Sequence, residues 1–260
     1  MRRRLRLEFY LLVMHKHLTI IAGLICFQAA AQTPVRVLAS NGVRAVIEEL
    51  KPQCERTIGH PLAIQYGSTS DLMKRIDGGE TFDLTVLTAE GIGRLANEGK
   101  VNGFTRADIA RCGVGVGIRK GAPKPAIATP EEMKSALLNA RFVAYAADGA
   151  SRVFVERMEQ KLGIADQMKA KTMLTHGSGE ATADVASGKA DLVLTLGSEI
   201  LPAPGVQLIG PLPAQLQGYV NFVAAASAKA RNVDAAKAVI QYLKGPTAAP
   251  VYKAKGMEPR

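Results

Sequence analysis

The 260-residue chain has no tryptophan, 5% aromatic residues, three cysteines and four histidines. So few rings argue against a stacking platform for sugars. Beyond residue 31 only Cys54, Cys112, His60 and His176 remain. That is too sparse for a zinc or iron site, so no metal and no cofactor is expected. The two cysteines can pair where disulfides are allowed, and the sequence leaves that open. A run of five or six bases is also missing. The formal charge is +10, from 33 Lys and Arg against 23 Asp and Glu, but five of the bases fall within residues 1–31 and the rest are dispersed. Nothing tracks a phosphate backbone, and no nucleic-acid partner is expected. After residue 31 no apolar run reaches the ~18 residues of a membrane span, so no stable membrane insertion is expected. What is present, 47% hydrophobic and 22% charged residues, is a globular composition long enough for one large domain or two small ones.

Residues 1–31 read as an export leader. Arg2, Arg3, Arg4 and Arg6 form a basic start, Leu18–Phe27 is an apolar stretch too short to span a bilayer, and Ala29-Ala30-Ala31 offers the small residues a signal peptidase needs. Cleavage is expected after Ala31, giving a periplasmic protein.

Beyond the leader, strands alternate with helices. Pro34–Ala39, Pro61–Tyr66 and Phe82–Leu87 read as strands, with helices over Val43–Arg56, Asp71–Asp77 and Glu90–Asn97. Cys112–Arg119 is a further strand, broken by Lys120–Pro125. Thr129, Pro130 and Glu132 then predict a helix start with a capping box. The pattern repeats with strands Arg141–Ala146, Thr172–Thr175 and Asp191–Leu196 around helices Ser151–Leu162 and Glu180–Ser187. Gly218–Ala226 reads as a returning strand and Val233–Leu243 as a closing helix. This is an α/β pattern with parallel strands.

Four strand-to-helix turns are rich in small polar residues: Ser40-Asn41-Gly42, Gly67-Ser68-Thr69-Ser70, Asp148-Gly149-Ala150-Ser151 and Gly177-Ser178-Gly179. Each precedes a helix N-terminus, where free N–H groups and the helix dipole favour an anion. Any one of them is also an ordinary cap. Four across two similar halves point to a cleft for a small, hydrophilic anion. No enzyme signature is complete. Asp148–Val153 holds only the first half of G-x-S-x-G, and the glycines of Gly113–Gly117 precede prolines rather than a helix. His176 and Glu180 read either as a proton-transfer pair or as a cap-adjacent histidine and a first-turn glutamate.

The run GSTSDLMKRIDGGETFDLTVLTAEGIGRLANEGKV, Gly67 to Val101, resembles the periplasmic molybdate-binding protein family. Pro204–Phe222 and Lys255–Pro259 are similar to a broader branch of the same group, and the order of elements fits over residues 34–259. The resemblance implies a two-lobed type II periplasmic binding-protein fold. Residues 32–112 and 222–260 would form one lobe and 113–221 the other, with hinge crossings near Cys112–Arg119 and Gly218–Ala226. It implies a monomer that hands its ligand to an ABC permease. The family's oxyanion contacts carry over to Ser40, with Asn41 beside it, to Ser68 or Thr69, to Ser151 and to Ser178. The fifth contact, commonly a tyrosine, falls on Leu196, which cannot donate a hydrogen bond. Arg152 stands where a small residue is expected, and its planar fork suits a carboxylate. The two departures bring in an organic acid beside molybdate or tungstate. The group also includes an aconitate isomerase; on that alternative Arg152 would clamp a carboxylate while His176, Asp148 or Glu180 moved a proton.

Overall fold

Val35, Val37, Leu38 and Ala39 make β1 (Val35–Ser40) a nearly continuous apolar strand. It is flanked in parallel by β2 (Leu62–Gly67) and β3 (Leu84–Thr88), the setting in which a strand has no solvent face to alternate with. The structure is a computed structural model that describes residues 32–260; the expected leader and its cleavage after Ala31 lie outside the described residues. Helix α1 (Arg44–Ile58) connects β1 to β2 and ends at Gly59, whose left-handed φ of 72° suits glycine. Helix α2 (Thr69–Asp77) connects β2 to β3, and α3 (Ala89–Asn97) follows β3.

The second half repeats this unit. The capping box of Thr129 and Glu132 opens α4 (Pro130–Asn139) as the sequence predicts. Then come β5 (Val143–Ala146), α5 (Arg152–Lys161), the short α6 (Ala165–Met168), β6 (Thr172–Thr175), α7 (Ser178–Ala186), β7 (Leu192–Leu196) and the single turn α8 (Gly197–Ile200). Strand β5 lies between β6 and β7, parallel to both.

Strand β4 (Ala107–Arg119) joins the two halves. Its first part pairs with β9 (Tyr219–Ala226), which in turn pairs with β3; its second part pairs with β7. These are the two crossing segments of a two-lobed type II binding-protein fold. β8 (Val206–Pro211) and β10 (Met257–Pro259) also add to β4, while α9 (Val233–Lys244) and α10 (Ala249–Ala254) lead to β10. All four pairings of β4, and that of β9 with β3, are antiparallel. The expectation of parallel strands therefore holds only within each three-strand unit. The crossing strands run back along their neighbours without a helical crossover, so they enter the sheets the other way round.

Each sheet is covered on both faces. In the first, Val37, Ala39, Val86 and Ala224 pack under α1 and α9, while Leu38, Leu87, Val223 and Ala225 pack against Leu72 of α2 and Ile92 of α3. In the second, Val116, Tyr145 and Leu194 meet Met133 and Leu137 of α4, and Ala144 and Val193 meet Ala181 and Val185 of α7. Cys54 and Cys112 are buried free thiols, so the pairing left open by the sequence is not made. Burial, helped by the charge of Glu55, pushes the Cys54 thiol up to about 11. Among the described residues no helix is long and apolar enough to cross a membrane.

Candidate functional site

The carboxyl ends of β1, β2, β5 and β6 bring the four polar turns to one place. Together they line a cavity of about 110 Å³ with walls from both sheets. Ligands of open α/β sheets bind at this end of the strands. On the first-sheet side, Ser40 is buried and its Oγ accepts a long bond from Gly42 N at 3.4 Å. Asn41 lines the cavity and accepts from Arg44 at 3.0 Å. Ser68 Oγ caps α2 by accepting from Asp71 N at 3.1 Å and donates to Asp71 Oδ2 at 2.9 Å. Thr69 lines the same wall.

On the second-sheet side, the N-termini of α5 and α7 have no side-chain cap among the described residues. At α5 the Arg152 and Phe154 N–H groups turn to the carbonyls of Gly149 and Ser151, each at 3.0 Å, whereas the first-turn N–H groups of α7 are available to an anion. Ser178 Oγ donates to Glu199 Oε1 at 2.8 Å, and Thr195 Oγ1 donates to the other oxygen of that carboxylate. Desolvation raises the Glu199 pKa above the usual carboxylate range; the two hydroxyls pull it down and the charge of Asp148 adds to the rise. Asp148 Oδ1 is buried, and no group among the described residues donates to it.

Of the residues singled out in the sequence, Ser40, Asn41, Ser68, Thr69, Ser178, His176 and Asp148 line the cavity. Ser151, Arg152 and Glu180 do not. Ser151 is buried behind its turn, with its Oγ 3.7 Å from where a side chain on Gly149 would begin. Arg152 is drawn aside by its own helix: it pairs with Glu156 one turn on at 2.7 Å and donates to Ala147 O at 2.7 Å. Its side chain lines a wider cleft of about 810 Å³ that shares Thr69, Asp148, Gly149 and Ala150 with the smaller cavity. Glu180 accepts from His176 N at 2.8 Å, the behaviour of a first-turn glutamate. The sequence reading missed Glu199 and Asp71. Glu199 had one visible signal, an acid in the turn after a strand; its bond to Ser178 spans 21 positions and needs the fold.

Leu196 is 2% exposed and belongs to the first sheet's core, although β7 lies in the second. It faces Gly42, where a Cβ would stand 2.9 Å from the leucine and 2.4 Å from the Phe222 ring. Ser198 Oγ donates to Gly42 O at 2.7 Å, so the two halves meet directly behind the cavity.

The model for bacterial extracellular solute-binding proteins matches residues 35–258. The chain belongs to this family. Among relatives of this solute-binding protein, the aconitate isomerase of a Pseudomonas species is 30% identical over 87% of the chain and 88% of the relative. The molybdate-binding protein of Escherichia coli K12 is 24% identical over 87% and 90%. The solved structure of the periplasmic molybdate-binding protein of Azotobacter vinelandii superposes with a TM-score of 0.73 at 20% identity. That match covers 86% of this chain and 98% of the other and places the two in one fold.

Proposed function

We propose that this solute-binding protein captures a small organic-acid anion in the periplasm and delivers it to an ABC permease, working as a monomer. One observation carries the reading: four turns from both sheets converge on one cavity, and α7 on the second sheet presents an uncapped helix N-terminus there. Residues 32–112 and 222–260 act as one lobe and 113–221 as the other. A ligand bridging their turns draws them together about β4 and β9. The organic class is favoured over molybdate or tungstate by Leu196, which supplies no donor, and by the wide cleft that opens from the cavity past Arg152. A second carboxylate fits there, and Arg152 can turn to it by giving up an exposed pair with Glu156. Calorimetric titration with trans-aconitate and with molybdate tests this. Binding of the tricarboxylate is expected; tight binding of molybdate alone would sink the organic-acid reading.

The 30% identical aconitate isomerase favours a second reading on the same scaffold. In it, a carboxylate or imidazole in the cavity takes a proton from the methylene of aconitate. The double bond shifts, and the proton returns to the former vinylic carbon. That Asp148 and His176 line the cavity while Glu180 does not supports the first two for this role. Incubation with cis-aconitate, followed by proton NMR, separates the readings. Appearance of the trans isomer supports the enzyme, and binding without turnover supports the receptor.

A further inference from the structure

The hydrogen-bond polarity of the cavity is mixed, with acceptors set among the donors. A serine hydroxyl has one proton to give. Ser178 gives its proton to Glu199 and Ser68 gives its own to Asp71, so neither has a proton left for the cavity. Asp148 Oδ1 adds a buried acceptor that nothing among the described residues satisfies. Three carboxyl groups, on Asp71, Asp148 and Glu199, stand in the wall. The donors left for an anion are the first-turn N–H groups of α7, the hydroxyls of Ser40 and Thr69, the Asn41 amide and the His176 ring. A fully deprotonated tetrahedral dianion offers acceptors all round. It would be held by those donors while facing Asp148 and two spent serines with nothing to give. A ligand with an anionic group at one end and a hydroxyl at the other matches both sets.

We propose that Asp148 and Glu199 make the cavity select anions that carry their own hydrogen-bond donor, hydroxycarboxylates or singly protonated oxyanions, over bare anions of the same shape. This rests on the reading of the cavity as the anion site, and it deepens that reading. Asp148 takes the ligand's hydrogen bond. Glu199 is a positioning residue that keeps the Ser178 hydroxyl turned away from the ligand. Refusing an analogue that lacks one hydroxyl is what a site built around a buried acceptor does well, because the unmet group stays unmet.

The test is calorimetric titration of the purified protein with two matched pairs. Citrate and tricarballylate share three carboxylates and differ by one hydroxyl. Phosphate and sulfate share a tetrahedron, and at mildly acidic pH only phosphate keeps a proton. The donor-bearing member of at least one pair is expected to bind about 10- to 100-fold tighter, the span of one hydrogen bond to a charged group. In Asp148→Asn the amide can donate, so the ratio is expected to fall to about threefold or less, chiefly through gained affinity for the bare anion. Glu199→Gln shifts the ratio the same way by releasing Ser178, and thermal melts check that both variants fold. Parity within the pairs, preference for the bare anion, no binding by either pair, or an unchanged ratio in Asp148→Asn overturns the proposal. Phosphate over sulfate with neither tricarboxylate bound would keep it and defeat the organic-acid reading. Citrate and tricarballylate bound equally well, with no preference for phosphate over sulfate, would do the reverse.

Discussion

The two halves of the molecule repeat one strand–helix plan but treat their carboxylates and helix caps differently. In the first sheet, Asp83 is 2% exposed and fully engaged: it accepts from Arg36 N at 2.9 Å, Arg36 Nε at 3.1 Å and Arg231 N at 2.8 Å. Its counterpart in burial, Glu159 on α5, is 5% exposed and leaves Oε1 without a donor among the described residues. The same contrast holds at the cavity. Ser40 and Ser68 cap the first-sheet turns, whereas α7 starts uncapped and Asp148 has an unmet oxygen. In its carboxylates and caps the first half has spent its hydrogen bonds on its own fold, although the hydroxyls of Tyr66, Tyr242 and Tyr252 are buried there without a partner among the described residues. The other holds several in reserve, and a ligand is what can use them.

Removing Asp83 breaks the comparison most forcefully. Burial alone would raise its pKa, but the Arg36 guanidinium and the backbone N–H groups of Arg36 and Arg231 hold it below the usual carboxylate range. Asp83→Ala leaves both N–H groups unmet and is expected to cost about 3 kcal/mol in urea unfolding. A loss under about 1 kcal/mol would mean that the first half is no better satisfied than the second. Next comes Ser178→Pro. Position 178 is the first residue of α7, where proline is tolerated, and Gly177 before it is already extended at φ −171° and ψ 167°. The variant should fold yet lose about 100-fold in ligand affinity, because it lacks one N–H aimed at the anion. Ser178→Ala, which removes only a hydroxyl engaged with Glu199, should lose about threefold or less. Equal losses would show that the hydroxyl, not the helix terminus, carries the contact.

The sequence displayed the plan better than the reserve. Each three-strand unit, the capping box at Thr129 and the four turns follow from local pattern, since apolar spacing, caps and glycines act within a few residues. Strand β4 was half visible. Cys112–Arg119 is apolar enough to read, but Ala107–Arg111 alternates with Asp108 and Arg111 and hides its pairing with β9. Strand β10 has three residues and exists only because β4 offers an edge. Within the cavity, which serines line the wall was legible, but where their protons point was not. That depends on Asp71 three positions away and on Glu199 across the fold. Arg152 stood out for its chemistry, and only the structure shows Glu156 holding it aside.

Glu159 gives the comparison a pH dependence. Burial, with the nearby charge of Glu156, raises its pKa to about 7 from an ordinary 4.5. The folded state therefore holds a proton that the unfolded chain has released between those values. The stabilisation is complete below about pH 4.5 and is lost as pH rises through about 7. Glu159→Gln, always neutral, should be more stable than the parent by about 1–3 kcal/mol at pH 8 and close to it near pH 4.5. Urea unfolding at both pH values checks this; a difference that does not change with pH would show that Glu159 is already satisfied.

The smallest effect sharpens the contrast at the cavity itself. Ser68 Oγ accepts from Asp71 N, so Ser68→Ala removes the N-cap of α2 and should cost about 1 kcal/mol of stability. Its proton already goes to Asp71, so an anion held from the second side loses little, about threefold or less in affinity. Stability and binding should therefore separate at this residue: a lower melting temperature with a nearly unchanged dissociation constant. A fall of about 100-fold in affinity, the size of a lost bond to a charged group, would mean that Ser68 turns its proton to the ligand on binding. Asp71 would then give up its partner as the anion arrives, and the first half would hold a reserve of its own.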